Sequence, residues 1–317
     1  MNNFERTINK FRTAIPDTLP CISIDGKNGQ ARATFFADAG LVTVESSVHF
    51  EGDPFYIAPD DLKTIKRIDN LRLIENGVFY GDLEVKIKVD NDAPMMALEY
   101  EQGDFEVKKN DLDYVMLAAS TDKARPVLNC VLFTSNRLAA TDGYRLHLVL
   151  GAYHNEDSLT TLLPAEALRR IKSDFAILHK TDHSIITFND RDNRVIMKVP
   201  YVIGIFPDFK QIIPEKTKIN FLLPNDKRFK KLTSDEFGMI TLNDHLKFET
   251  WDNGNDARTM FEITPEFIDK PDNEIKFGIS PKYLYEAIRN DPVKIGINSH
   301  NVPIVVGDSI VMPQYLQ

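Results

Sequence analysis

Two neighbouring segments give the clearest indication of the fold: residues 125–133 read RPVLNCVLF, and residues 138–146 read LAATDGYRL. Both contain several apolar residues, as strands with a buried face do. The second segment contains Asp142-Gly143, a pair that commonly forms the tight turn of a β-hairpin, because glycine adopts a positive φ without strain. From the residues alone, this stretch therefore predicts antiparallel strands with a turn at Asp142-Gly143.

A further pattern occurs three times along the chain: a strand, then a proline, then apolar residues at helical spacing. The prolines are Pro59, Pro164 and Pro281, which lie 105 and 117 residues apart. Proline suits the first position of a helix, where the N–H that it lacks would have no partner. The near-equal spacing predicts three tandem repeats of one fold. Three unrelated α+β domains are the alternative.

Strands of alternating polarity lie between the predicted helices. Residues Leu83–Val89 alternate apolar and polar side chains, which is typical of a strand with one buried face. Residues 186–199 and 240–251 have the pattern of hairpins. The predicted fold class is therefore α+β, with two helices and antiparallel sheets in each repeat. The three repeats are expected at residues 1–101, 102–214 and 215–317.

The composition excludes several classes of protein. Hydrophobic residues make up 43% of the 317 residues and charged residues 27%, which is typical of a globular chain and not of a disordered one. The two cysteines, Cys21 and Cys130, form no Cys-x-x-Cys pair, so a reducing cytoplasm is expected and a disulfide scaffold is not. The sequence has neither a run of 18 apolar residues nor an N-terminal secretory signal, so we expect no membrane association.

The sequence offers no catalytic constellation. The histidine pair His179 and His183 has i,i+4 spacing, but it lies in a predicted turn and lacks the glutamate of a zinc-binding helix. Residues 190–192 (DRD) lack the glycine and glutamate of a calcium loop. Residues 307–309 (GDS) lie between two strand-like runs and predict a hairpin turn, not a nucleophile elbow. We therefore expect no metal, no cofactor and no catalytic residue.

Positive charge is concentrated in the predicted helices. The net charge of −9 argues against a tight, groove-reading DNA-binding protein, because that class is usually basic. The six predicted helices nevertheless carry +8 together, which leaves −17 for the rest of the chain. Helix propensity alone would favour glutamate about equally, so the pattern indicates a basic face for a polyanion on an acidic body. The helices are Phe4–Ile15, Asp60–Asp69, Lys108–Ser120, Ala165–Ser173, Asn225–Thr233 and Lys282–Asn290.

The two opening segments closely resemble the second domain of the bacterial sliding clamp, the β subunit of the replicative DNA polymerase. That family typically has Arg-Pro-x-Leu-Asn-Gly followed by Ala-Thr-Asp-Gly-His-Arg-Leu. Further matches follow in the family's order. They are Leu163-Pro164 with Ala167-Leu168, residues 206–214 (FPDFKQIIP), residues 279–284 (ISPKYL) and residues 311–313 (VMP).

The resemblance covers about residues 125–317, and the first hundred residues match only loosely. Cys130 stands where the family has glycine, Tyr144 where it has histidine, and Gln314 where a methionine is expected at the rim of its pocket. The chain is also shorter than a typical member, which suggests trimmed loops or a phage or mobile-element origin.

The resemblance implies a DNA polymerase processivity factor and not an enzyme. In that family two chains close head to tail into a ring that encircles double-stranded DNA without reading its sequence. It implies a homodimer that works in the cytoplasm with a replicative DNA polymerase and a clamp loader. An enzyme or ligand-binding module built from three α+β repeats is the alternative. The candidate DNA-facing residues are Lys10, Arg12, Arg169, Arg170, Lys172, Lys227, Arg228, Lys230 and Lys231.

The resemblance also implies a peptide-binding pocket that tethers partner proteins. Arg145 is expected to cover an apolar wall with its stem and to meet a peptide carbonyl with its head group. The alternative is that Leu128, Leu146 and Ile212 are ordinary core residues. The pocket positions are Leu128, Thr141, Gly143, Tyr144, Arg145, Leu146, Pro207, Ile212, Pro303, Ile310 and Met312. The expected dimer interface joins Leu83, Val85 and Ile87 of one chain to Phe229 and Leu232 of the other.

Overall fold

The computed structural model describes residues 3–12, 22–37, 40–57, 72–74, 77–80, 83–85, 98–151, 153, 160–226, 228–231, 237–252, 255–289 and 291–314. Within these residues, short helices accompany extended antiparallel sheets, as the sequence predicts. The α-helices are α1 (Asn3–Arg12), α2 (Lys109–Met116), α3 (Ala165–Leu168), α4 (Arg228–Lys231) and α5 (Pro281–Ala287). Two 3-10 helices cover Pro126–Asn129 and Phe209–Ile212.

The strands account for most of the regular structure in the described residues. They are, in chain order, β1 (Ile22–Lys27), β2 (Gln30–Ala37), β3 (Gly40–Phe50), β4 (Phe55–Ile57), β5 (Arg72–Ile74), β6 (Gly77–Tyr80), β7 (Leu83–Val85), β8 (Phe105–Val107), β9 (Cys130–Phe133), β10 (Arg137–Thr141), β11 (Arg145–Leu150), β12 (Thr161–Pro164), β13 (Phe175–His179), β14 (His183–Asp190), β15 (Asn193–Pro200), β16 (Ile219–Leu223), β17 (Phe237–Leu242), β18 (Leu246–Asp252), β19 (Asn255–Ile263), β20 (Glu266–Asp269), β21 (Ile275–Ile279), β22 (Val293–Ile297), β23 (Ile304–Val306) and β24 (Ser309–Val311).

The chain divides into two compact units. The first comprises residues 1–112, 133–136 and 151–203, and the second comprises residues 113–132, 137–150 and 204–317. The middle third of the chain therefore contributes to both units. The three repeats and their boundaries stay a prediction.

The first unit is built on one large sheet in the order β4-β1-β2-β3-β15-β14-β13-β8. A branch leaves β3 through β5 and β6 and ends at β7. Helix α1 buries Phe4 and Ile8 in this unit, because residues four apart share one face of a helix. The predicted hairpin near residue 190 is confirmed, with Asp190 paired to Asn193.

The second unit contains a sheet in the order β9-β10-β11-β24-β23-β22-β16-β20 and a sheet in the order β19-β18-β17-β21. Two further predicted turns are confirmed here. Thr141 pairs with Leu146 across the Asp142-Gly143 turn, and Val306 pairs with Ser309 across the turn at residues 307–309. In both turns the glycine has a positive φ, +95° at Gly143 and +58° at Gly307.

Phe229 lies in the core of the second unit. Its ring meets Phe248 edge to face at 4.7 Å and Phe261 at 5.3 Å between centroids, and the residue is 2% exposed. Burying a phenylalanine in this way contributes about 1.5–3 kcal/mol, before any gain from ring geometry. The prediction that this side chain faces a partner chain is therefore wrong.

The helices end earlier than predicted. Helix α2 ends at Met116 instead of Ser120, and α3 ends at Leu168 instead of Ser173. After α3 the chain continues with i→i+3 bonds from Arg170 and Ile171, because a last turn commonly tightens to satisfy orphan carbonyls. Pro164 is the N-cap residue that directly precedes α3 and not the first residue of the helix, whereas Pro281 is the first residue of α5. The predicted helix Asp60–Asp69 lies outside the described residues.

Candidate functional site

The turn at residues 142–144 presents the Tyr144 side chain to solvent. Asp142 Oδ1 accepts hydrogen bonds from the backbone N–H groups of Tyr144 at 2.9 Å and Arg145 at 3.1 Å. Thr141 Oγ1 accepts from the Gly143 N–H at 3.1 Å and donates to the Arg145 carbonyl at 2.6 Å. The backbone of the turn is thus held tightly, while Tyr144 is 61% exposed.

Strand β24 and the segment after it fix the other side of this turn. The Met312 N–H donates to the Tyr144 carbonyl at 2.9 Å, and Leu146 pairs with Ile310. Leu146 and Ile310 are fully buried, so they form the floor beneath the surface, while Met312 is half-buried. Half-buried Pro303 directly precedes β23, which pairs with β24.

The loop at residues 204–212 lies against the 3-10 helix that carries Leu128. A β-carbon at Gly204 would lie 2.4 Å from Val127 Cγ2, so only glycine permits this approach. Leu128 itself is buried. The loop exposes Ile205 and Ile212, which are 94% and 40% exposed, together with Pro207.

Arg125, which directly precedes the 3-10 helix, lies beside the Asp142-Gly143 turn. A β-carbon at Gly143 would lie 3.4 Å from Arg125 Nη1. The structure therefore brings the predicted pocket stretches together within the second unit. Leu128, Leu146 and Ile310 are buried core residues of this region. The alternative that Leu128, Leu146 and Ile212 are ordinary core residues therefore fits the first two, whereas Ile212 is 40% exposed.

The guanidinium of Arg145 is bound inside the protein. Its Nε donates to Asp142 Oδ2 at 3.2 Å, Nη1 donates to Glu286, and Nη2 donates to the Leu117 carbonyl. Its Cζ lies 4.2 Å from the centroid of the Tyr283 ring, a cation–π geometry. Internal partners take three of its five N–H donors and the side chain is 7% exposed, so its contact with a peptide carbonyl stays a prediction.

Behind the turn, His147 stacks on Tyr114 in a buried layer. The ring centroids are 4.6 Å apart, and His147 Nδ1 is 2.9 Å from the Tyr114 carbonyl. Burial lowers the pKa of His147 to about 4, so this imidazole is neutral near pH 7. The Tyr114 hydroxyl donates to the Ala287 carbonyl at 3.0 Å and contacts Ser309. This layer joins α2, α5 and β24 beneath the candidate site.

Sequence reasoning missed Tyr283, Glu286 and Ile205. Tyr283 and Glu286 both lie on α5. Glu286 is 141 residues from Arg145 in sequence, and no local pattern indicates that these two residues pair. Ile205 could have been found, because two isoleucines flank Gly204 in a linker that leads to Pro207. The Gln314 N–H donates to the Gly278 carbonyl on β21 at 2.9 Å, and the place of this residue at the pocket rim stays a prediction.

The ends of α1 and α3 form a basic patch in the first unit. Arg170 Nη1 donates to the Lys10 carbonyl at 3.1 Å, and Lys172 Nζ donates to the Arg169 carbonyl at 3.0 Å. Both contacts satisfy carbonyls at helix C-termini, where cations are favoured. Arg169 and Lys172 remain exposed. The side chain of Arg12 lies outside the described residues.

Lys10 differs from its neighbours, because its charge is already paired. Its Nζ lies 2.8 Å from both carboxylate oxygens of Asp190. Asp190 also accepts a hydrogen bond from Thr7 Oγ1 at 3.0 Å. This network connects α1 to the β14–β15 hairpin, so we expect Lys10 to stabilise the fold instead of binding DNA.

Helix α4 carries a second set of basic residues. Arg228 Nη2 pairs with Asp226 Oδ2 at 2.7 Å, and the Arg228 guanidinium lies 4.7 Å from the Phe261 ring centroid. This pairing lowers the pKa of Asp226. Lys230 and Lys231 are exposed on the same helix, and Lys227 lies outside the described residues.

Two strand edges bear on the expected dimer interface. Leu83 and Val85 lie on β7, which pairs only with β6 among the described strands. In the second unit, β19 ends its sheet, whereas the opposite end at β21 is covered by the Gly278–Gln314 bridge. Ile87 and Leu232 lie outside the described residues.

Within the described part of the chain, no helix is long and apolar enough to cross a membrane.

Comparison with known proteins finds similarity in structure alone. No protein-family model matches the chain, and no curated protein matches its sequence. A crystal structure of the DNA polymerase III β subunit from Pseudomonas aeruginosa matches with a TM-score of 0.76 at 17% identity, covering 98% of this chain and 97% of that one.

Two further solved structures match equally well. The sliding clamp from Bartonella birtlesii, bound to griselimycin, has a TM-score of 0.76 at 14% identity and covers 100% of this chain and 99% of that one. The β clamp from Helicobacter pylori, bound to a DNA ligase peptide, has a TM-score of 0.76 at 15% identity, with coverage of 98% and 97%. Over nearly its whole length, the chain therefore has the fold of the bacterial β sliding clamps.

Proposed function

We propose that this chain is a DNA sliding clamp, a non-catalytic processivity factor that tethers a replicative DNA polymerase to its template. The observation that carries the proposal is the match of fold over 98% of this chain and 97% of the Pseudomonas aeruginosa β subunit. The match therefore extends over nearly the full length of both chains. The order of the sequence motifs supports the same function independently.

The proposal includes a ring of two chains, each with three clamp repeats at residues 1–101, 102–214 and 215–317. Unpaired strand edges are a liability unless another strand covers them. Strand β7 in the first unit and β19 in the second are such edges among the described strands. Head-to-tail pairing of β7 from one chain with β19 from the other covers both edges and closes the ring. Because Phe229 is core, β19 replaces it as the candidate partner of Leu83 and Val85.

The basic helix ends are the proposed contact with duplex DNA. Arg169, Lys172, Lys230 and Lys231 are exposed on or directly after helices, while the chain as a whole is acidic. Contacts with phosphate position a protein without reading sequence, which suits a ring that slides. The clamp loader and the cytoplasmic replication fork belong to this proposal.

The surface around Tyr144 is the proposed site for tether peptides. Tyr144, Ile205 and Ile212 are exposed apolar residues, and the paired Leu146 and Ile310 are buried next to the Tyr144 turn. Exposed apolar residues on neighbouring elements are typical of sites that bind a partner. The Helicobacter pylori clamp was solved with a DNA ligase peptide bound. We infer that this chain binds short apolar peptides of its polymerase and of other replication or repair proteins here.

Peptide binding by the Tyr144→Ala variant tests the site. A labelled peptide with the C-terminal residues of the same organism's replicative polymerase is titrated by fluorescence anisotropy. Removing one aromatic anchor typically costs about 2 kcal/mol, so we expect the Kd to rise about thirtyfold. Leu150→Ala is the matched control, since Leu150 is 63% exposed at the far end of β11, the strand that follows the turn. Equal affinity of both variants and the parent would place the site elsewhere.

A further inference from the structure

We infer that Glu286 on α5, with the ring of Tyr283, is a positioning residue of the peptide site: it holds Arg145, and Arg145 holds the turn that presents Tyr144. The inference rests on the proposed function, because it concerns the same surface. Glu286 lies outside the sequence motifs, and Tyr283, although it lies in the 279–284 motif, is not among the predicted pocket positions. Their role is read from contacts in the second unit.

The first step is the burial of Arg145. Its side chain is 7% exposed, while those of its acidic partners Asp142 and Glu286 are 15% and 16% exposed. A guanidinium at this depth needs each of its donors satisfied, since an uncompensated buried charge strongly destabilises its surroundings. Asp142, Glu286 and the Leu117 carbonyl together take up donors from all three nitrogens of the guanidinium.

The second step runs from Arg145 to the exposed ring. Asp142 uses Oδ2 for the Arg145 guanidinium and Oδ1 for the N–H groups of Tyr144 and Arg145. Its rotamer therefore links the ion pair to the turn. The Tyr144 carbonyl in turn receives the Met312 N–H at 2.9 Å. One connected set of bonds thus leads from α5 to both sides of the candidate site.

The third step is the ring of Tyr283, one helical turn before Glu286. Its centroid lies 4.2 Å from Arg145 Cζ, so the guanidinium is held by a face as well as by charges. Loss of Glu286 leaves the Arg145 Nη1 without its acidic partner at a buried position. We expect the arginine then to move toward water and to pull Asp142 out of its bonds with the turn.

The test is a double-mutant cycle on peptide affinity, using the labelled polymerase tail peptide and the full-length chain. Glu286→Ala should raise the Kd about tenfold, and in a Tyr144→Ala background it should have almost no further effect, because residues that act through one another are not additive. Glu286→Gln should restore most of the affinity, since its amide oxygen can still accept from Arg145. Lys282→Ala, an exposed change on the same helix, is the matched control.

Tyr283→Leu gives a second route should Glu286→Ala fold poorly, as judged by its thermal unfolding and sedimentation. This variant keeps an apolar side chain on the helix and removes the ring that contacts Arg145. It should weaken peptide binding, and the loss should almost disappear in a Tyr144→Ala background. Unchanged affinity in the folded variants would overturn the inference, as would a tenfold loss that persists without Tyr144. A parent chain that binds no tail peptide would remove the proposed function, and this inference with it.

Discussion

Single arginines in this chain show how a buried charge is held. Arg32 is 7% exposed and binds Asp25 through two hydrogen bonds, of 2.8 and 2.6 Å. Arg145 is bound in a similar way by Asp142 and Glu286. Removing one partner of a buried pair costs about 3–5 kcal/mol, because the other charge is then left buried without compensation. Exposed cations such as Arg169 can instead bind an anionic ligand through their charge.

His147 gives a prediction about stability and pH. Its pKa is lowered from 6.5 to about 4 by burial, so the unfolded chain takes up a proton that the folded chain excludes. The contribution of this residue is therefore complete above pH 6.5 and is lost as the pH falls toward 4, by up to about 3 kcal/mol.

Urea unfolding of the parent and of His147→Gln at pH 7 and pH 4.5 measures this effect. Other titrating groups are common to both proteins, so only the difference between them matters. The free energy of unfolding of the parent should fall more steeply with acid than that of the variant. Parallel losses in the two proteins would show that His147 takes up a proton as easily in the folded chain as in the unfolded one.

At the scale of elements, α1 and α3 meet at their C-terminal ends, where basic side chains cap carbonyl groups. The geometry separates two kinds of lysine there. Lys10 is paired with Asp190 at 2.8 Å, while Lys172 is exposed and donates a hydrogen bond to the Arg169 carbonyl. We therefore expect the exposed members, and not Lys10, to carry the contact with DNA.

The double variant Arg169→Ala/Lys172→Ala tests this expectation. Each phosphate contact contributes about 0.9 to the slope of log affinity against log salt, so the slope should become shallower by about 2. Lys10→Ala should leave that slope unchanged and lower the thermal stability instead. The measurement is anisotropy of a labelled duplex from low to moderate salt. The same slope for the double variant and the parent would mean that these bases are ordinary helix surface.

The sequence predicts the turns of this fold better than its helix ends. Asp142-Gly143 and Gly307 form turns because the need for a positive φ is local and glycine meets it. The end of α3 at Leu168 is not local, since it depends on how the following residues meet other elements. Likewise, Tyr144 could be placed at the candidate site from the motif, whereas Glu286 could not, because folding alone brings it to Arg145.

For the whole molecule, the edge of β19 gives a prediction about assembly. Met260 lies on this strand and is 56% exposed. A lysine at an edge opposes pairing with another strand. Met260→Lys should therefore raise the dissociation constant of the dimer at least tenfold by sedimentation velocity. Ile268→Lys is the matched control, since Ile268 is equally exposed on β20. Equal dissociation of both variants would exclude β19 from the interface.

Negative-stain electron microscopy of the purified protein decides whether two chains close into a ring. We expect particles with twice the 36.1 kDa mass of one chain, whose class averages show a continuous rim around a central opening. Single crescents at micromolar concentration, or compact particles without an opening, would contradict a ring of two chains.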